Sequence, residues 1–400
     1  MEKNLNEQYI REHRTDDVRK LALASHPQGI DIQYALKQIS GWQAARVKVP
    51  LWADTEGIVY PKHLSLEQCT SQYIAQYKAS FIEKLLGRSL RMADITGGMG
   101  VDCYFISRSA SRTCYNELSA ELCQNAQANF KILDRPDIAV TCGRAEDFIS
   151  HQEPDSLDLI YLDPARRGNA GQKLISISDC RPDAVVLQND LLRVSRYIML
   201  KLSPMLDISR ALTEMHHVSH VMVIGLEGEC KEITLLIQRD FNGEPVIEAI
   251  DIDTQGNPGT VISSTKSAEN AQSLPVASPE QLQPGTFISE PGAPYMKSAL
   301  FRTIAAQTGT ALLHPDTHLF WGKEKPESFP GRTFQIEGII PFDKRSLSAL
   351  TKTQANLSVR NFPESAPQLQ RRLKLRDGGS RYLIATTLSD SRRILLDLRK

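Results

Sequence analysis

Apolar residues recur at helical intervals over the first part of the chain and in short β-rich clusters beyond residue 90. Val18 and Leu21, then Leu36 and Ile39, fall three apart, so residues 5 to 90 read mostly as helix. The prolines of "VKVPLWADTEGIVYP" interrupt that pattern. A further helix is predicted in "SLEQCTSQYIAQYKASFIEKLLG", with Ser65 as N-cap, Ile74, Tyr77, Phe81 and Leu85 on one face, and Gly87 as its stop. From residue 90 the runs "LRMADIT", "RTCYNE", "DIAVTCG", "LDLIYLD", "RYIMLKLS", "HVMVIGL" and "KEITLLIQR" read as strands, with helical patterns between the first five. That order predicts an α/β fold with a seven-stranded, mostly parallel sheet. Only "EGEC" separates the last two runs, and a gap so short permits an antiparallel hairpin alone. Residues 241 to 290 are rich in Gly, Pro, Ser, Asn and Gln, which predicts a linker or an extended excursion. Beyond them, "RTFQIEGIIPF", "ANLSVRN", "RYLIATTL" and "RILLDLRK" read as strands, with "KRSLSALTK" and "PQLQRRLKL" as helices between them. The end of the chain is therefore expected to be one or two small α+β units.

Composition narrows the class without naming a chemistry. At 400 residues two or three domains are expected. The 47 basic and 47 acidic side chains cancel, so the chain as a whole has no field that binds nucleic acid or membrane unaided. The charge is uneven, however: residues 351 to 400 carry 11 Lys and Arg against 4 Asp and Glu, so the tail is basic and the rest acidic. The seven cysteines form no C-x-x-C pair, which fits free thiols in a reducing compartment. The first residues are too polar for a signal peptide, and no apolar run approaches the ~18 residues of a membrane helix. A cytoplasmic protein without membrane contact is the expectation.

The stretch "DITGGMGVD" carries the first chemistry. It lacks the Lys-Ser/Thr of a P-loop, and counted from Gly98 the third position of a dinucleotide G-x-G-x-x-G is Cys103. It has instead Asp94, an acid at the strand end, which repels a pyrophosphate and suits a cationic head. S-adenosylmethionine has such a head, an ammonium and a sulfonium, and no phosphate. Gly97, Gly98 and Gly100 would let the backbone approach its methionine part. Glu117 ends the second strand, at the place from which a carboxylate accepts both ribose hydroxyls. The alternative is a glycine turn with two unrelated surface acids.

On these residues, roughly 65 to 240 of the chain resemble the class I S-adenosylmethionine-dependent methyltransferases, a Rossmann-like fold whose sheet also ends in an antiparallel hairpin. The resemblance makes Asp94, Gly97, Gly98 and Gly100 the first motif and Glu117 the ribose contact. Many members follow the third strand with Gly-Asp-Ala, whose Asp reaches the adenine amine; here Arg144 replaces that Asp. Asp147 is then the candidate adenine contact, its alternative being a solvated acid at a helix start.

The fourth strand ends in "LIYLDPARRG", and in an open α/β sheet the ligand crevice lies at the carboxyl ends of the strands. Methyl transfer is an in-line displacement that needs positioning and a hydrogen-bond acceptor. Asp163 can be that acceptor, with the Pro164 ring holding its loop. In methyltransferases of exocyclic base amines the corresponding words are Asn or Asp, Pro, Pro, then Tyr or Phe; here Ala165 and Arg166 take the last two places. A guanidinium can also stack on a base or hold a phosphate, so Arg166 joins the candidates; with Arg167, its alternative is a solvated basic turn. The words also resemble the Asp-Pro-Pro-Arg of uracil-5 methyltransferases. Those enzymes need a Cys where this chain has Ser203, which is too poor a nucleophile.

Longer words, among them "TEGIVYPKHLSLEQCTSQ", "YLDPARR", "KLSPMLD" and "VRNFPESAPQLQRRLKLRDGGSRYLIATT", extend the resemblance to a group of predicted RNA methyltransferases with a C-terminal THUMP-like domain. It implies a helical region over residues 1–88, the cofactor domain over 89–240, a small ferredoxin-like α+β segment over 291–330, and the THUMP-like domain over 331–400. THUMP-like implies RNA binding, and Arg371, Arg372, Lys374 and Arg376, with Arg381 beyond, form a cluster suited to phosphates. The ordinary alternative is a solvated face. His314 and His318 are four apart, but Pro315 interrupts the helix that spacing needs, and no metal is expected. The expected activity is methylation of a base in structured ribosomal or transfer RNA. A protein or small-molecule methyltransferase, and a non-catalytic RNA-binding protein on the same fold, stand as alternatives.

Overall fold

The computed structural model describes residues 2–166 and 176–400, with the side chains of residues 2–4, 63, 64 and 166 set aside. The chain divides into two compact units, Met1–Ser219 with Ile233–Gly243, and His220–Glu232 with Glu244–Lys400.

The first unit opens with α1 (Glu2–His13), α2 (Val18–Leu23), α3 (Ile32–Lys48), α4 (Pro50–Ala53), α5 (His63–Gln68) and α6 (Gln72–Leu86). Caps explain the starts: Asp17 accepts from the Arg19 and Lys20 amides before α2, and Asp31 from the Tyr34 amide before α3. The helix expected from Ser65 is two. α5 ends at Gln68, and Ser71 caps α6 by accepting from the Ile74 amide. Gly87, at φ 80, ends α6 where expected. The buried face of α6 also differs from the expected one, because Ile74, Ala75, Lys78 and Ile82 are buried while Leu85 is exposed.

The sheet follows with β1 (Leu90–Asp94), α7 (Val101–Ile106), β2 (Ala110–Glu117), α8 (Ala120–Ile132), β3 (Ala139–Cys142), α9 (Ala145–Ser150), β4 (Leu157–Leu162), β5 (Ala165–Arg166), β6 (Cys180–Arg181), α10 (Ala184–Val194), β7 (Ser195–Leu202), α11 (Ile208–Glu214), β8 (Val218–Leu226) and β9 (Glu229–Gln238). β1 pairs in parallel with β2 and β4, β2 with β3, and β4 with β7, while β9 runs antiparallel to β7. The seven expected strands are thus β1–β4 and β7–β9. The short gap between β8 and β9 closes as expected, through Glu227 and Gly228 with φ of 54 and 81, the left-handed pair that a two-residue hairpin turn requires. Trp52, Tyr104, Phe105, Tyr115 and Phe130 form one core that packs the front helices on α7, β2 and α8. Burying such rings contributes about 1.5–3 kcal/mol each and fixes the loops at the strand ends.

In the second unit, residues 241–290 hold β10 (Val246–Ile252), β11 (Ile262–Thr265) and α12 (Lys266–Ala271). β10 pairs in parallel with β8 and antiparallel with β11, so among the described residues two strands join β8 that the expected seven did not include. Next come β12 (Phe287–Pro291), α13 (Ala293–Ser298), α14 (Phe301–Thr308), β13 (Ala311–Leu312), β14 (Phe320–Gly322), β15 (Gly331–Pro341), α15 (Lys344–Ser348), β16 (Asn356–Arg360), α16 (Ala366–Leu373), β17 (Arg381–Thr387) and β18 (Arg393–Arg399). Their sheet runs β13-β14-β12-β15-β18-β17-β16. Leu369 and Leu373 of α16 pack with Leu383, Ala385 and Leu395, which leaves the other face of that helix to solvent.

Candidate active site

The parallel strands of the first unit bring Asp94, Glu117, Asp163 and Lys201 to their carboxyl ends, where such sheets open a crevice. Asp94 ends β1 and is 1% exposed. Its Oδ1 accepts from the Thr96 amide at 3.1 Å. Burial, reinforced by the Asp102, Asp163 and Glu117 carboxylates, holds its carboxyl well above the ordinary range.

The glycine loop is tied to the second strand. The Gly98 amide donates to Glu117 Oε2 at 2.9 Å, and the Ser119 amide donates to Oε1 at 2.8 Å. The Tyr115 hydroxyl donates to the Gly98 carbonyl at 2.6 Å. A Cβ on Gly97 would lie 2.0 Å from the Tyr115 ring, and one on Gly100, at φ 86, 2.8 Å from the Phe130 ring. Packing therefore demands both glycines, and at Gly100 the left-handed backbone demands one as well. Leu118, directly after Glu117, is 70% exposed, as is Met205 beyond β7.

Asp163 follows β4 and is fixed at two points. Its amide donates to Thr96 Oγ1 at 2.6 Å, and its Oδ2 accepts from Lys201 Nζ at 2.5 Å. Pro164 beside it is buried. Lys201 lies on β7, and its side chain is 13% exposed against 37% for that of Asp163. A second lysine, Lys78 of α6, is fully buried, with Nζ 2.8 Å from Asp102 Oδ1 and donating to the Tyr161 hydroxyl at 3.2 Å. Thr70 Oγ1 donates to Asp102 Oδ2 at 2.5 Å. Burial works to raise the Asp102 carboxyl, and Lys78 with Lys201 outweighs it, so Asp102 is held below the usual carboxylate range. Two lysines and two aspartates thus alternate from the front helices to the end of β4.

Sequence reasoning missed Thr96, Lys201, Lys78 and Asp102. The signal was a lysine inside the apolar run "YIMLKLS" and another on the buried face of α6, because a charge enters such a run only with a partner. The remaining expected residues lie as follows. Asp147 is exposed in the first turn of α9, whose approach is tied to the second strand by the Gly143 amide donating to the Glu117 carbonyl at 3.0 Å. Arg144 pairs with Glu146 at 3.4 Å. Arg166 pairs by its backbone with Cys180, and its side chain and Arg167 lie outside the described residues.

In the second unit Arg371, Arg372, Lys374 and Arg376 are all exposed. Arg372 reaches Glu364 at 3.1 Å and lies 4.7 Å above the Phe342 ring. Arg381 instead holds Asp397 by two hydrogen bonds, of 2.8 and 2.5 Å, across β17 and β18. The His318 ring stacks on Phe301 at 4.1 Å, and among the described residues no group of three or more His, Cys, Asp or Glu is placed to hold a metal. Nor is any described helix long and apolar enough to cross a membrane.

Residues 331–399 match the model of the THUMP domain-like family, and residues 287–330 that of a ferredoxin-like domain. No curated protein matches the chain. A crystal structure of a proposed methyltransferase from Porphyromonas gingivalis W83 is 30% identical, covers 99% of this chain and 97% of its own, and superposes with a TM-score of 0.84. Weaker likenesses include a proposed class I S-adenosylmethionine-dependent methyltransferase from Listeria monocytogenes, 11% identical over 62% of this chain and 93% of that one, with a TM-score of 0.38. A proposed RNA methyltransferase from Pyrococcus horikoshii is 17% identical over 38% and 70%, with a TM-score of 0.29. This chain belongs to the methyltransferase family of the Porphyromonas protein, and it carries a C-terminal THUMP-like domain.

Proposed function

We propose that the protein is an S-adenosylmethionine-dependent methyltransferase of structured RNA, ribosomal or transfer, with Asp163 as the group that accepts from and positions the nucleophile. The observation that carries the reading is Asp163 fixed at the end of β4 by Thr96 and Lys201, in the same crevice as the Gly98–Glu117 cradle.

The donor set fits the cofactor. Asp94 is a buried carboxylate for the ammonium, and the loop of Gly97, Gly98 and Gly100 presents backbone without side chains. Each oxygen of Glu117 has one amide donor, which leaves acceptor capacity for two ribose hydroxyls. Leu118 offers an apolar surface beside that ribose position and Asp147 a carboxylate for the adenine amine. When bound, S-adenosylmethionine supplies an electrophilic methyl group on a sulfonium. Asp163 would hold the acceptor's hydrogen and receive its proton as the new bond forms, which makes the site one of positioning.

RNA as the substrate is supported by the exposed basic cluster of Arg371, Arg372, Lys374 and Arg376 and by the THUMP-like module that contains it. A base amine is the acceptor that the Asp163-Pro164 words suggest. The Lys201 contact favours a second acceptor, a hydroxyl. Two variants test the common part: Glu117→Ala should weaken cofactor binding in calorimetry, and Asp163→Ala should leave binding within about threefold while abolishing transfer. Retained turnover in Asp163→Ala would remove that residue from the mechanism.

A further inference from the structure

Resting on the reading of the site as an RNA methyltransferase centre, we infer that the atom methylated is a hydroxyl oxygen, the ribose 2′-hydroxyl, and that Lys201 is a catalytic residue beside Asp163.

Hydrogen-bond complementarity decides between the acceptors. Asp163 presents a carboxylate, which only accepts. Lys201 presents an ammonium, which only donates, and it stands 2.5 Å from Asp163 Oδ2. A nucleophile lodged against this pair must donate to one member and accept from the other. An exocyclic base amine has two N–H donors and a lone pair delocalised into the ring, so it satisfies Asp163 and leaves Lys201 facing a donor. A hydroxyl is donor and acceptor at once and satisfies both. The 2′-hydroxyl is also the group that distinguishes RNA from DNA, and every nucleotide of an RNA carries one. The polypeptide after Asp163 agrees: Pro164 is buried and Ala165 gives no ring, so the described part of the loop offers no aromatic platform for a splayed base.

The pair is also built to stay in place. Asp163 is held through its amide by Thr96 and through Oδ2 by Lys201, and Lys201 adds to the field that keeps Asp102 ionised. Asp102 is in turn anchored by Lys78 and Thr70. An ordered chain of charges of this kind fixes the attacking oxygen along one line, which an in-line displacement requires. In the step itself the oxygen forms a bond to the methyl carbon, and the sulfur–carbon bond breaks with its electron pair remaining on sulfur. The hydroxyl proton, made acidic as the oxygen takes on positive charge, passes to the Asp163 carboxylate. Lys201 donates to the oxygen throughout and holds it in line.

The experiment uses the full chain, methyl-labelled S-adenosylmethionine and unmethylated ribosomal and transfer RNA, followed by alkaline hydrolysis of the labelled product. A 2′-O-methyl blocks cleavage of the adjacent phosphodiester, so the expected label is in alkali-stable dinucleotides. Label in mononucleotides would overturn the hydroxyl assignment while leaving the RNA methyltransferase reading intact. Label in no RNA would remove that reading and this inference with it. In parallel, Lys201→Met should lower kcat by about 100-fold or more, with cofactor affinity in calorimetry within about twofold of the parent. Lys201→Arg, which keeps a donor, should recover part of the loss. A Lys201→Met protein that binds cofactor and keeps its kcat would exclude Lys201 from the step.

Discussion

Asp94 combines burial with a proposed task, holding an ammonium, that needs charge. Its carboxyl is held well above the ordinary range chiefly by burial, so it is protonated in the free protein at pH values where the unfolded chain has ionised it. The native state then binds the extra proton, and stability falls as pH rises from the unfolded value towards the folded one. Asp94→Asn carries no such proton. It should raise stability in thermal unfolding, by a margin that grows with pH over that window, and lose cofactor affinity by about tenfold or more. A variant that is both no more stable and equally tight would contradict the placement of Asp94. In the parent, an ammonium docking on Asp94 should displace its proton, visible as a binding enthalpy that depends on the buffer's ionisation heat. Gly97 is constrained sterically instead: with a Cβ 2.0 Å from the Tyr115 ring, Gly97→Ala should cost about 1–3 kcal/mol in denaturant titration. Asp94, the glycines and Glu117 were legible because a motif at a strand end is local in sequence. Lys201 was not, because its meaning comes from Asp163, 38 residues earlier and joined to it only by the pairing of β4 with β7.

At the level of elements, α6 shows where periodicity misleads. Ile74, Tyr77, Phe81 and Leu85 have the spacing of a buried stripe, yet the buried face runs through Ile74, Ala75, Lys78 and Ile82. On that face Lys78 meets Asp102 of α7 at 2.8 Å, a partner that apolar spacing does not announce. Removing one member of a buried pair leaves the other unpaired, so Lys78→Met should destabilise the fold by about 3–5 kcal/mol, and Asp102→Asn added to it should recover part of that. An additive double mutant would show that the two residues do not act as a pair. The strands of the first sheet that carry the candidate site are readable, by contrast, since a run buried on both faces such as "LDLIYL" has no competing use. The segment from 241 to 290 reads as linker from its overall Gly, Pro and Ser content, which outweighs the apolar run of β10, and β10 and β11 are held by pairing with β8 and with each other.

At the scale of the whole molecule, the candidate site lies in the first unit and the THUMP-like module with its exposed basic cluster in the second. The module cannot be tested by cutting at residue 350, because β18 lies between β15 and β17 and its loss would unmake that sheet. Charge removal is the cleaner probe: Arg371→Ala, Lys374→Ala and Arg376→Ala together should weaken RNA binding across sequences and reduce the slope of log affinity against log salt by about 2. An unchanged slope would move the RNA surface elsewhere. The central claim is tested most directly by incubating the protein with methyl-labelled S-adenosylmethionine and, separately, unmethylated ribosomal RNA, transfer RNA and protein extract, with Asp163→Ala alongside. Label in one RNA pool and none with the variant is the expected result; label in protein, in no pool, or undiminished in Asp163→Ala would contradict the proposal.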